Sequence, residues 1–259
     1  MWRDRFRVRA YELDDRWSLR PASLCDYLQE SAAAHAQALG VSVDALHPRG
    51  LTWVLSRLHV RVNAFPLWRQ EVTVETWPSA VSDLFALRDF RVLDAGEALL
   101  AAASSSWMVI DLKKRKPVPL PDFILSIHHN SPGRALDDSF SKLPVPNVFS
   151  LSKVLEVRNA DLDLNRHLNF VKSVALGLEA VPDEILARRA LSDLEVSFRA
   201  EGRKGDRVVA KSGPLSRDEP LQLGHVLLRE KDGVELARMA STWTPAGPVP
   251  PVPSRAESS

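Results

Sequence analysis

The sequence predicts an α+β fold made of two similar units in tandem, each a helix followed by a mostly antiparallel sheet that wraps it. Three observations lead there. The chain repeats itself once: "LSRLHVRVNAF" from Leu55 and "LSDLEVSFRAE" from Leu191 match at a spacing of 136 residues, as do "AAASSSWMV" and "ARMASTWTP", whose Trp107 and Trp243 stand 136 apart. Each copy holds one amphipathic helical stretch. Each then continues in apolar–polar alternation, the period of a half-buried strand.

Taken in order, "VRAYEL" from Val8 matches "VRNADL" from Val157 at a spacing of 149, so the first copy carries the longer insertion between its helix and next strand. Pro21 at a helix start, Leu24, Leu28, Ala32 and Leu39 on one face, and Gly40 at the end describe a helix of about five turns. Val54, Leu58, Val60 and Val62 then alternate with polar residues, "EVTVETW" adds a strand, and "ALRDFRVLDAGEALLAAASSSWMVID" reads as a hairpin around Asp-Ala-Gly. From Lys113 scattered Pro and Gly and weak periodicity mark an extended linker. In the second copy Phe170, Val171, Val174, Ala175 and Leu178 form the helical stripe before Pro182. Leu194, Val196, Phe198 and Ala200 alternate on a strand, and "LGHVLLREKDGVELARMASTW" closes a last hairpin around Lys-Asp-Gly. The units are expected over residues 1–120 and 151–244, with a linker at 121–150 and a Pro- and Ser-rich disordered tail at 245–259.

Composition narrows the function classes. The 34 Lys and Arg against 33 Asp and Glu argue against a wholesale nucleic-acid binder, and no apolar run is long enough to span a membrane. The single cysteine, Cys25, can form neither an intrachain disulfide nor a cysteine-rich metal site, and with no signal peptide at "MWRDRFRVRA" a cytoplasmic setting is expected. No cofactor or metal is called for, and the sequence leaves open whether two chains form a homodimer.

One segment carries chemistry. "NADLDLNRHLNF" sets Asp163, Asn165 and His167 two residues apart just before the second helix, where the first copy has Asp14, Arg16 and Ser18. Polar loading of one copy alone suggests one active site per duplicated chain. Asp and Asn are equally favoured helix caps, so both readings stand.

At these residues the sequence resembles the acyl-acyl carrier protein thioesterases, in which an Asp-x-Asn-x-His segment precedes the second helix and a Glu follows on a later strand. "DLDLNRHLN" supplies Asp163, Asn165 and His167, and "FRAEGRKGD" supplies Glu201. The resemblance extends through "LQESAAAHAQALG", "TWVLSRLHVRVNAFPLWRQEVTVETWP" and "SSSWMVIDLKKRKPV", nearly everything from Arg5 to Trp243. It implies a tandem double hotdog fold and a catalytic set of Asp163, Asn165, His167 and Glu201 that hydrolyses acyl-acyl carrier protein by water attack. An acyl-CoA thioesterase, or a non-catalytic acyl-binding hotdog protein, would share the fold. Departures exist. Arg166, Phe170 and Ser173 stand where many relatives have Gln, Asn and an aromatic residue, and Gly202 stands where plant members have Cys, which excludes a cysteine nucleophile there.

Glu201 or His167 would serve as general base, Asn165 and backbone N–H groups from about Leu168 would face the oxyanion, and Asp163 would hold Asn165 or His167 in place. Strict alternation would turn Glu201 away from the core face of Val196 and Phe198, so either the strand ends or bulges near Ala200 or the site lies on the side facing away from this copy's own core. The acidic carrier protein implies basic contacts, for which Lys113, Lys114, Arg115, Arg203 and Lys204 are candidates. His35, His59 and His225 read as packed core histidines, and the adjacent His128 and His129 as a surface pair. "GRKGD" lacks the spacing of a phosphate loop. Trp53, Trp77, Trp107 and Trp243 read as sheet-packing residues that could also line an acyl tunnel.

Overall fold

Pro21, whose missing N–H costs nothing in a first turn, opens helix α1 (Pro21–Ala38), and Gly40, at φ 70°, closes it in the left-handed region. Leu24, Leu28 and Ala32 are buried, as the stripe predicts. The structure, a computed structural model, describes residues 1–247 except 83, 129, 130 and 217. The expected tail therefore lies largely outside the described residues, as do His129 and the His128 side chain.

The first copy contains β1 (Trp2–Arg7), α1, a short α2 (Val43–Leu46), β2 (Leu51–Val62), β3 (Glu71–Val81), β4 (Ala86–Asp94), β5 (Leu99–Asp111) and β6 (Lys116–Val118). A connection with the single turn α3 (Asp122–Leu125) leads to the second copy: β7 (Leu151–Glu156), α4 (Phe170–Leu178), α5 (Asp183–Arg188), β8 (Arg189–Phe198), β9 (Arg207–Ser216), β10 (Leu221–Arg229) and β11 (Glu235–Pro245). Part of the expected linker is sheet, because Lys116–Val118 pairs with β5. The rest is pinned to both copies: the Trp77 indole N–H donates to the Gly133 carbonyl, Arg134 pairs with Asp89, and Arg238 donates to the Leu143 carbonyl.

The two expected sheets join edge to edge. Among the described residues one antiparallel sheet of 11 strands runs β1-β3-β4-β5-β2-β8-β11-β10-β9-β7, with β6 beside β5. At the seam β2 pairs with its own repeat β8, Arg57 opposite Ser197 and Arg61 opposite Asp193. His59 faces Glu195 there, and those two are themselves equivalent positions of the repeat, so a local twofold axis passes through that pair. β2 runs on past the end of β8 to Leu51, where it is paired with β5 at Asp111. α1 packs on β3 and β1, α4 on β10, β9 and β11, and the helices touch each other. One main core, from Val8 to Trp243, spans both copies. The second helix covers the stretch its apolar stripe marks and ends at Leu178, and Pro182 caps the separate short helix α5.

Candidate functional site

The trio lies on a tight loop between a 3-10 turn (Asn159–Asp161) and α4. Asp163 Oδ1 accepts the backbone N–H groups of Asn165 (2.8 Å) and His167 (3.0 Å), and Asp163 N–H donates to the His167 carbonyl (2.8 Å). Arg166, between them, sits at φ 61°. The first copy folds the same loop around other side chains. Asp14 Oδ1 accepts from the N–H groups of Arg16 (2.9 Å) and Ser18 (3.0 Å), and Trp17 sits at φ 62°. The carboxylate is thus the loop's internal acceptor in both copies, an Asx-type turn, whether or not Asn and His accompany it. Asp163 consequently holds the backbone of Asn165 and His167 rather than their side chains.

Glu201 arrives from the far end of β8. The strand stops at Phe198, and Arg199 and Ala200 both donate to the Leu236 carbonyl, at 2.9 and 3.3 Å. This bulge resets the alternation that would have turned Glu201 away. Leu168 N–H then donates to the Gly202 carbonyl at 2.8 Å, clamping the two loops together. Gly202 suits this closeness: a Cβ there would lie 3.0 Å from Leu168 Cβ and 3.1 Å from its Cδ2, tighter than most Cβ contacts. The clamp brings Glu201 Oε2 to 3.2 Å from His167 Nε2. His167 is mostly covered, its side chain 24% exposed, while the Glu201 side chain keeps 40% of its surface.

The charges around Glu201 come from both copies. Arg115, on the β5–β6 turn, contacts the same Oε2 through Nη2, and Arg203 Nη2 stands 3.9 Å from it. Arg229 Nη1 donates to the Glu201 carbonyl at 3.1 Å. Of the five basic residues expected at a partner surface, Arg115 and Arg203 therefore face Glu201, while Lys113, Lys114 and Lys204 are exposed. Sequence reasoning had no local signal for the Arg115 contact, which closes across 86 residues. It also passed over Asn169. That residue caps α4, its side chain accepting Val171 N–H at 2.7 Å and donating to Gln29 of α1 at 3.1 Å. Asn169 N–H itself donates to the Asp161 carbonyl at 2.9 Å. The amides of Leu168 and Asn169, expected to face an oxyanion, are thus occupied by structural bonds.

Aromatic side chains of both copies meet at the start of α4. Phe170 packs edge-on to Trp107 of the first copy (6.4 Å) and to Phe198 (5.8 Å), both just beyond the two loops. Trp107 and Trp243, equivalent in the repeat, each donate their indole N–H at 2.8 Å to a serine two residues before them, Ser105 and Ser241.

The other singled-out groups lie elsewhere. His35 is buried beneath Trp2 and within 3.0 Å of Arg88; burial first and the Arg88 charge second lower it to about 4, so its Nδ1 accepts from the guanidinium. His225, fully buried with Nε2 2.7 Å from Ser241 Oγ, is lowered by burial to about 4. His59 differs. Nδ1 lies 2.8 Å from Asp138 and Nε2 3.0 Å from Asp193; burial alone would lower it, but the hydrogen bond and charge of Asp193, the hydrogen bond of Asp138 and the charge of Glu195 raise it above the ordinary histidine value. Among the described residues His59, Asp138 and Glu195 offer ligand atoms within 4.8 Å of one another, a spacing that suits a metal ion. Its two ring nitrogens also face carboxylates of the connection and of β8, so His59 bridges Asp138 and Asp193. Cys25 is buried in α1, where burial pushes its thiol up to about 12, so it is no nucleophile. Among the described residues no helix is long and apolar enough to cross a membrane.

Comparison with known proteins gives a consistent picture. The acyl-ACP thioesterase N-terminal domain model matches residues 1–128 and the corresponding C-terminal domain model matches residues 147–245. A chloroplastic acyl-[acyl-carrier-protein] hydrolase of Cuphea viscosissima is 30% identical over 95% of this chain and 63% of its own length. The chloroplastic palmitoyl-acyl carrier protein thioesterase of Cuphea hookeriana is 30% identical over 95% of this chain and 62% of its own. The chain thus spans somewhat less than two thirds of these curated relatives. Among solved structures, the 12:0-ACP thioesterase from Umbellularia californica superposes with a TM-score of 0.85 at 27% identity, covering 95% of this chain and 94% of that one. An acyl-ACP thioesterase from Bacteroides thetaiotaomicron shares the fold with a TM-score of 0.78 at 23% identity, covering 93% and 97%.

Proposed function

Because this chain belongs to the acyl-ACP thioesterase family, we propose that it is a thioester hydrolase that releases free fatty acid from acyl-acyl carrier protein. The observation that supports this most directly is the 3.2 Å contact of His167 Nε2 with Glu201 Oε2, on two loops that Leu168 and Gly202 clamp together. In this reading the two side chains act as one acid–base unit. A water held between them and the thioester loses a proton as it attacks the carbonyl carbon, a service worth on the order of 10² to 10⁴ in rate. Charge moves onto the carbonyl oxygen, and this reading assigns the Asn165 side-chain amide as its donor. The carbon–sulfur bond then breaks, and the proton taken from water returns to the departing thiolate. A thiol is a modest acid, roughly pKa 8.5, so the thiolate leaves readily and the first step dominates the barrier. Asp163 contributes by holding the loop.

The acyl chain is assigned to the aromatic wall of Trp107, Phe170 and Phe198, and the acidic carrier to the exposed Lys113, Lys114 and Lys204. The test is a panel of acyl-carrier-protein thioesters of graded chain length, with matched acyl-CoA thioesters alongside and the liberated acids identified by mass spectrometry. Release from the carrier with kcat/KM well above that from CoA is the expected result. Preference for CoA would make the chain an acyl-CoA thioesterase, and no release from either would make it an acyl-binding protein.

A further inference from the structure

The wall opposite His167 is supplied by the first copy. Asp111 Oδ1 accepts the N–H groups of Lys113 (2.9 Å) and Lys114 (2.8 Å), and Arg115 N–H donates to the Asp111 carbonyl (2.8 Å), which folds the β5–β6 connection into a tight turn. That turn places Arg115 at φ 52°, a left-handed conformation that Gly or Asn ordinarily occupies and that costs any other residue about 1–2 kcal/mol. In return the arginine makes an ion pair whose partners are 57% and 40% exposed. Such pairs contribute about 0–1 kcal/mol to folding. Stability therefore does not account for an arginine here, because the backbone strain is at least as large as what the pair gives back. Seam geometry explains how it reaches the site: β2 runs past the end of β8, and β5, paired to that overhang, carries its turn out beside the Glu201 loop.

Resting on the thioesterase reading, we infer that Arg115 is a positioning residue: it holds Glu201 by the oxygen that faces His167, so that the acid–base pair is assembled by both copies. The contact is to Oε2, the same oxygen that lies 3.2 Å from His167 Nε2. A guanidinium on that oxygen restrains the rotamer of a side chain that keeps 40% of its surface exposed, and positioning is worth rate wherever the reacting geometry is narrow. It also sets Arg115 apart from the carrier-facing lysines. If Glu201 stands at the thioester carbonyl, the phosphate that joins the pantetheine arm to its carrier is the whole arm's length away, so Arg115 cannot bind that phosphate while touching Glu201.

The experiment uses two substrates, acyl-carrier protein and the same acyl group on N-acetylcysteamine, which has neither carrier nor phosphate. Arg115→Gln is expected to lower kcat roughly tenfold on both substrates with little change in KM, a smaller loss than removal of the base itself. Arg115→Lys, which keeps the charge without the planar fork, should recover part of it. Arg115→Gly relieves the left-handed strain and should fold at least as stably as the wild type while showing the same loss, which separates the effect from misfolding. In a double-mutant cycle, Arg115→Gln should add nothing to Glu201→Gln. The inference is overturned if the loss appears only with the carrier substrate and only in KM, which would make Arg115 a docking residue, or if the two substitutions are additive. Should Glu201→Gln fall to background, the small-substrate arm decides alone. A wild-type chain that hydrolyses neither substrate would instead remove the thioesterase reading on which this rests.

Discussion

The duplicated loop separates architecture from chemistry by a paired substitution. Asp163 and Asp14 each accept two backbone N–H groups through Oδ1, at 2.8 and 3.0 Å and at 2.9 and 3.0 Å respectively. Hydrogen bonds to a charged group contribute about 1.5–3 kcal/mol each, and both loops are partly exposed, so the low end applies and either Asp→Ala change should cost about 3 kcal/mol. For a chain of this size that lowers the melting temperature by roughly 6–12 °C. Asp14→Ala should show that loss with thioester hydrolysis little changed at 25 °C. Asp163→Ala should show the same loss and a fall of about 100-fold in kcat/KM, because Asn165 and His167 are displaced together. Asp163→Asn keeps the accepting oxygen and should retain most activity. Differential scanning fluorimetry and steady-state hydrolysis read both quantities. The reasoning is refuted if Asp163→Asn is as inactive as Asp163→Ala, which would mean that the charge itself is needed, or if Asp14→Ala leaves the melting temperature unmoved.

Three further outcomes are expected. His59 is raised above its unfolded value of about 6.5 by Asp193 and Asp138, so its contribution is complete below that pH and is lost as pH rises through the folded value; melting temperatures measured from pH 6 to 8.5 should fall more for the wild type than for His59→Gln. Cys25, 1% exposed and with its thiol pushed up to about 12, should resist iodoacetamide in the native protein and react on denaturation, as followed by intact mass; rapid native labelling would contradict its burial. Gly202→Cys brings a Cβ to 3.0 Å from Leu168 and should cost about 1–3 kcal/mol in urea unfolding, with Leu168→Ala in the same chain recovering part of it; simple additivity would show that the Leu168 side chain does not crowd position 202.

Local chemistry made much of this legible. Pro21 and Gly40 bound α1 because a missing N–H and a positive φ are properties of single residues. The repeat spacing was readable because equivalent strands keep equivalent faces, and Trp107 and Trp243 even keep the same serine bond. The bulge at Arg199 and Ala200 followed from a conflict between period-two alternation and the need for Glu201 to reach the trio. What escaped was whatever depends on pairing at long range. Nothing in β2 or β8 says that they pair with each other, since an edge strand and a central strand carry the same alternation, so the single sheet and the Arg115 contact could not be read. The occupied amides of Leu168 and Asn169 were missed for a related reason: their acceptors, Gly202 and Asp161, are set by how loops meet rather than by the helix start itself.

The local twofold axis makes the absence of a second such cluster a physical question, because the backbone bonds that shape the proposed site have counterparts in the first copy. The bulge recurs, with Asn63 and Ala64 both donating to the Leu100 carbonyl at 2.8 and 3.1 Å, and the clamp recurs as Leu19 N–H to the Pro66 carbonyl at 2.8 Å. The positions assigned to chemistry differ. Phe65 stands where the repeat has Glu201 and packs against the core, Ser18 stands for His167, and Arg16 stands for Asn165 and donates to the Ala187 carbonyl at the end of α5. A carboxylate replaced by a core-packing phenylalanine, and an amide replaced by an arginine that anchors the other copy, convert a second cleft into interface. The two copies are thus tied at one end by packing and at the other by Arg115 on Glu201, so the intact site depends on a sheet that neither copy could build alone.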